Sequence, residues 1–172
     1  GKRAAVCTWN GDVWIVSGID DDLTKVTWHR FASGLFEPLG IAIVDDEVYA
    51  LGRDRLTKLH DKNKDGVADF YENFNSDFPT YPRAITTELQ VDSGGNFYFQ
   101  KTGNRTPGNV PMHGSILRVN KDGSKADIFT HGIRSANGMG VGMLSGREVI
   151  ASSDQEGNWT PASRIDFLTD GQ

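Results

Sequence analysis

A single cysteine, Cys7, in 172 residues rules out an internal disulfide and shows no metal or haem spacing. No apolar run approaches the length of a membrane span, and no secretion signal precedes Lys2-Arg3. Basic residues are in the minority, 18 Lys and Arg against 23 Asp and Glu for a net charge of −5, and they are scattered. That argues against nucleic acid or an anionic membrane surface as the main partner. What the chain has instead is 20 Gly, four Trp, four Tyr and nine Phe. Short aromatic stretches separated by Gly, Asp and Asn turns are the pattern of an all-β protein, and the length suffices for one domain with its own core.

The sharpest local motif is DKNKDGVADFYE at 61–72. A twelve-residue calcium loop draws side-chain oxygens from positions 1, 3, 5, 9 and 12, a carbonyl from position 7, and turns sharply at a Gly in position 6. Those slots hold Asp61, Asn63, Asp65, Asp69, Glu72 and Val67, with Gly66 at the turn. Calcium, a hard cation seeking six to eight oxygens, is therefore the expected ion; the bland alternative is an Asx-rich surface turn. The flanks do not suit a helix–loop–helix sensor. RLTKLH (55–60) alternates like a strand, and DFYENF is aromatic-rich and soon reaches the turn at 75–77. The loop is expected to join two strands of one sheet, as a staple rather than a switch. Calcium loops of modest affinity suit calcium-rich compartments, so a secreted or periplasmic location is expected, a removed signal leaving no trace.

Internal repetition organises the rest. GLFEPLGIAIV (34–44) and GIRSANGMGVG (132–142) share a Gly-marked entry to a short strand, and YPRAITTELQV (81–91) takes the middle slot. After each comes a second strand: EVYALG (47–52), NFYFQK (96–101), EVIASS (148–153). A third follows in RLTKLH, SILRVN and SRIDFL, and a fourth in DFYENF and ADIFTHG. Units of roughly 40–50 residues with four antiparallel strands mark a β-propeller. The expected division is a partial blade of outer strands at 1–33, blades at 34–78 and 79–131, and an incomplete blade at 132–172. Closed rings have about four to eight blades. A partial ring of about three to four is expected to be completed by the remainder of a longer parent chain or by a second copy.

With the repeats placed, GIRSANGMGVG, GSILRVNKDGS and SSDQEGNW resemble the soluble quinoprotein (PQQ-dependent) glucose/sorbosone dehydrogenase propellers. GLFEPLG, LHDKNKDGVADFYENF and NFYF make the chain most similar to the divergent propeller modules of large secreted bacterial multidomain proteins. The resemblance runs over nearly the whole chain. It implies a sugar- or aldose-oxidising ring with pyrroloquinoline quinone and calcium above the channel. Arg134 would contact the cofactor, and carbonyls of Gly157 and Asn158, in the Gln-Glu-Gly-Asn loop, would hold its calcium. The family's general base, a His, has no counterpart in Pro82-Arg83-Ala84-Ile85-Thr86-Thr87; only His113 lies in a loop where it could substitute.

The departure at that base favours a calcium-stapled propeller with a carbohydrate-recognition or scaffold role over catalysis, with a PQQ-dependent dehydrogenase and a protein–protein module as alternatives. Arg134 reads as an anion contact or an inter-blade ion pair, and Asp154 as its neighbour at the channel face. His113 and His131 read as solvated loop residues, His29 and His60 as outward-facing strand residues. Trp9, Trp14 and Trp28 read as inter-blade packing. Trp159 reads as packing or a sugar platform, and Cys7 as a small core residue.

Overall fold

The computed structural model describes residues 2–81, 85–103, 110–155 and 162–169. Among them stand fourteen β-strands in four antiparallel sheets, and no helix. The first sheet holds β1 (Lys2–Cys7), β2 (Val13–Ile19) and β3 (Thr27–Ala32). The second holds β4 (Gly40–Val44), β5 (Glu47–Leu51), β6 (Leu56–His60) and β7 (Phe70–Asn75). The third comprises β8 (Thr86–Val91), β9 (Phe97–Lys101), β10 (Ser115–Val119) and β11 (Ala126–His131). The fourth comprises β12 (Gly138–Leu144), β13 (Arg147–Asp154) and β14 (Arg164–Leu168). Strands lie in chain order within each sheet, so neighbouring strands are joined hairpin-fashion.

Successive sheets stack face to face, and two-residue alternation explains how one strand serves two interfaces. From β5, Val48 and Ala50 enter a core with Val13, Phe31 and Ala32 of the first sheet. Tyr49 and Leu51 of the same strand enter the core shared with Leu89, Phe97 and Phe99 of the third. On β9, Tyr98 turns the other way, to a third core with Ile116 and with Ile150 of the fourth sheet. A strand buried on both faces must be apolar throughout, which is why EVYAL and FYF read as near-continuous apolar runs. Inner strand β8 contacts β4 on one side and β12 on the other. The result is an all-β arc of propeller blades, the fold class that the repeats announce.

The Gly marks at the inner strands have a steric cause. A Cβ on Gly40 would sit 2.7 Å from the Glu88 carbonyl oxygen, so β4 and β8 could not approach as they do. At the outer rim Gly123 takes φ 74° in the turn of the third sheet. A Cβ there would fall 2.4 Å from the Phe74 carbonyl of the second. Asn75 Nδ2 donates to the Gly123 carbonyl across the same junction at 3.0 Å.

A repeated hydrogen bond identifies the strands of the first sheet. Leu35 N donates to the Gly11 carbonyl at 3.1 Å, as Ile133 N donates to the Gly114 carbonyl at 3.1 Å. Gly11 follows β1 as Gly114 follows β9, so β1, β2 and β3 stand where β9, β10 and β11 stand in the third sheet. The tryptophans stay out of the core between the first two sheets. Val13 and Ile15 take the core face of β2, and Trp14 and Val16 take the opposite one. Trp28 pairs with Val16 on that outer face and is 59 % exposed. Trp9, in the β1–β2 turn, is 50 % exposed. The core between the first two sheets is therefore filled by Phe31 and small aliphatic residues rather than by indoles. Cys7 packs against that core, and burial raises its thiol pKa, consistent with a small inert core residue.

Candidate functional site

The connections after β1, β3, β5, β7, β9, β11 and β13 all emerge at one end of the arc, because each sheet is an antiparallel meander. That end gathers Arg53, Lys101, His113, Arg134 and Asp154. The opposite end carries the hairpin turns and the 61–69 loop.

Asp154 closes β13 and is 6 % exposed. Its carboxylate accepts the backbone amides of Arg134 at 2.8 Å, Ser135 at 2.9 Å and Gln155 at 2.9 Å. Arg134 is thus tied to Asp154 through its main chain, and its Nη1 donates to Gln155 Oε1 at 3.3 Å. The Arg134 carbonyl accepts from Gly103 N at 2.9 Å, locking the loop before β12 to the end of β9. Below, buried Gln100 donates from Nε2 to the Gly138 carbonyl at 3.1 Å and to Ser152 Oγ at 2.9 Å. This polar layer fixes the third blade against the fourth and holds Arg134 in register. Gly157 and Asn158, the other two residues of the expected cofactor site, lie outside the described residues, as do Trp159 and Pro82-Arg83-Ala84.

Between the second and third blades the same end is strongly cationic. Lys101 ends β9 with no exposed surface, on the face that Phe97 and Phe99 share. Its ammonium lies 5.6 Å from the Phe78 ring centroid. Burial, with the Arg53 charge adding to it, pushes its pKa down to about 8. Arg53 follows β5 and spends Nη1 on Glu37 Oε2 at 2.8 Å and Nη2 on the Tyr81 carbonyl at 3.0 Å. The Tyr81 ring stands edge-on to His113, centroids 5.6 Å apart. His113 is partly buried rather than a solvated loop residue; burial and then the Lys101 charge hold its imidazole below the usual value. Among the described residues, the buried nitrogens left without a hydrogen-bond partner are Arg53 Nε, Lys101 Nζ and His113 Nε2. Sequence reasoning missed Arg53 and Lys101. The available signal was a lysine at the end of FYFQK, two residues beyond Phe99 on an apolar face.

The calcium-loop residues form a tight turn at the other end. Gly66 takes φ 91°, as position 6 requires. Asp61 accepts from the amides of Asp65 at 3.2 Å and Gly66 at 2.8 Å, Asp65 from Val67 at 2.9 Å, and Asp69 from Lys62 at 2.8 Å and Asn63 at 3.1 Å. The oxygen-only donor set of Asp61, Asn63, Asp65, Asp69 and the Val67 carbonyl suits a hard cation in chemistry. Glu72, on β7, is instead 2.7 Å from His60 Nε2, and Glu47 lies 3.6 Å from His60 Nδ1. His60 is therefore a half-buried partner of carboxylates, not simply outward-facing. Among the described residues no three Asp, Glu, His or Cys side chains converge as a ready metal cluster. The loop also reaches the preceding blade: Ala68 N donates to the Phe31 carbonyl at 2.8 Å, and Ala68 is buried in the first core. A cleft of about 910 Å³ opens beside it, lined by His29, Phe31, Glu47 and Asp61 among others. It is a gap between the first two blades, and none of the buried unpartnered nitrogens found among the described residues lines it, so the candidate site is placed at the other end.

No family model and no curated protein matches the chain. Solved structures do. An iodide structure of a Carbohydrate-Active Enzymes Family AA12 protein from Trichoderma reesei matches with TM-score 0.67 at 15 % identity, over 96 % of this chain and 51 % of that one. A luciferin-regenerating enzyme matches with TM-score 0.53 at 14 % identity, over 96 % and 55 %. A gluconolactonase from Xanthomonas campestris matches with TM-score 0.52 at 13 % identity, over 95 % and 56 %. At such identities the likeness is one of fold, and the chain spans about half the length of these structures.

Proposed function

We propose that this chain is a sugar-related propeller module of a secreted multidomain protein, stapled by calcium at Asp61, Asn63, Asp65, Val67, Asp69 and Glu72. Its role is carbohydrate recognition or scaffolding, without catalysis of its own. Its partners are carbohydrate and whatever completes the ring, the rest of a longer parent chain or a second copy. The observation that carries this reading is the separation of the two ends. One gathers buried, polar and cationic loop residues around Arg134 and Lys101; the other bears an oxygen-rich loop that grips two blades. Support comes also from the names of matched folds, a carbohydrate-active enzyme family and a gluconolactonase.

A PQQ-dependent sugar dehydrogenase is the second reading, favoured by one feature. His113, held neutral near pH 7 by burial and by Lys101, has an Nε2 without a partner and could accept a sugar hydroxyl proton. The quinone, when bound, would take the two electrons released by sugar oxidation. Arg134 would face it, its backbone fixed by Asp154, and Gly157 and Asn158 would hold its calcium. Titration with pyrroloquinoline quinone and calcium, followed by dye-linked oxidation of aldoses, separates the readings. The module reading expects binding of neutral saccharides with no dye reduction; turnover abolished by His113→Ala would replace it with the dehydrogenase.

A further inference from the structure

We propose that the junction of the second and third blades binds a carboxylate, held by Lys101 Nζ, Arg53 Nε and His113 Nε2. A fully buried ammonium with no hydrogen bond is costly to maintain, and so are buried guanidinium and imidazole nitrogens without acceptors. Here all three occur at one blade junction, Lys101 within reach of the Arg53 charge and His113 within reach of the Lys101 charge. Arg53 is oriented by Glu37 and the Tyr81 carbonyl, and Tyr81 packs edge-on against His113. Lys101 is fixed by pairing with Thr86 and Ser115 in the middle of its sheet.

The charges do not cancel. Glu37 answers Arg53 across 2.8 Å, but the charges facing Lys101 are Arg53 itself and, when protonated, His113. The lowered Lys101 pKa is what such a site shows before a counter-charge enters. A neutral His113 still donates from Nε2 in one tautomer, so the three groups present an ammonium, a guanidinium edge and an imidazole. Phe78 beneath Lys101 and Phe36 beneath Arg53, 5.3 Å from its guanidinium carbon, give apolar walls that strengthen a charge-assisted hydrogen bond. The proposal holds whether the propeller recognises sugars or oxidises them, since it concerns the acid group of a ligand and no reaction.

The test is isothermal titration of the intact chain with D-gluconate, with D-glucose as the uncharged control. Gluconate should bind at about pH 7 and weaken about tenfold or more at about pH 9.5, where Lys101 has lost its proton. Lys101→Met should show the same loss at about pH 7, with D-glucose weak throughout. The pH comparison uses the native protein, so the result stands even if the variant folds poorly. No gluconate binding at about pH 7, equal binding at both pH values, or D-glucose binding as tightly as gluconate would each overturn the proposal.

Discussion

Lys101 shows what burial does to a single ionisable group. Its pKa falls from 10.5 to about 8 as β9 carries it into the core, with Arg53 adding to the effect of desolvation. The folded chain therefore releases this proton earlier than the unfolded chain does. Below the folded value both states hold it, and the full penalty falls on the native state; between about 8 and 10.5 only the unfolded chain holds it, so stability rises with pH. Lys101→Met removes the penalty and should stabilise the ligand-free protein at neutral pH by on the order of 3 kcal/mol, at about 1.4 kcal/mol per pH unit. Urea unfolding of both proteins across that range checks it: the difference should shrink toward zero above the unfolded pKa, and a constant difference would mean that packing, not titration, sets it. At this scale the sequence was partly legible. Arg134 stood out by its Gly-rich strand entry and Asp154 by its place at a strand end, though only the structure shows Asp154 gripping the backbone amides of Arg134 and Ser135, with the Arg164 guanidinium 3.6 Å away. Lys101 and Arg53 stayed hidden, because a lone basic residue at a strand end reads as solvated unless the neighbouring blade is known.

At the scale of elements, the loop from Asp61 to Asp69 bridges β6 and β7 and also docks on β3 through Ala68. Calcium there would stabilise the junction of the first two blades as well as one hairpin. At a free concentration about a hundred times its Kd, a bound ion stabilises by about 2.7 kcal/mol, roughly 5–10 °C in Tm for a chain of this size. Asp65→Ala should abolish most of that rise. Glu72→Gln keeps an oxygen for His60 but removes a ligand charge, so it should weaken the calcium response while leaving Tm in chelator close to the parent value. Melting curves that ignore calcium, chelator and both substitutions would reduce the loop to an Asx turn. The strands themselves were legible because EVYAL and FYF are near-continuous apolar runs, and because Gly40 and Gly123 mark contacts that no Cβ would permit. The side on which the tryptophans pack was not legible for a related reason. Alternation puts Trp14 and Val16 on one face of β2 but does not say which face meets another blade.

For the whole molecule, the two inner sheets are covered on both faces and the two outer ones on one. The first sheet turns Trp14, Val16 and Trp28 away from its neighbour, with Trp28 59 % exposed. On the fourth sheet Phe167 pairs with Ala151 and Ile165 with Ser153, on the face opposite Ile150, and they are 55 % and 67 % exposed. Each large apolar side chain left uncovered forgoes about 1.5–3 kcal/mol of burial, and a contiguous patch of them marks an interaction surface. Both faces have the composition of a blade interface, so the proposed completion of the ring, by a second copy or by further sequence, would bury them together. Light scattering with and without chelator decides between these. A dimer that Phe167→Glu converts to monomer, with its Tm falling at low protein concentration, would show two arcs closing on each other. A monomer whose mass and stability ignore Phe167→Glu would assign both faces to neighbouring blades of a longer chain, and any binding at the Lys101 end would then have to be measured in that longer protein.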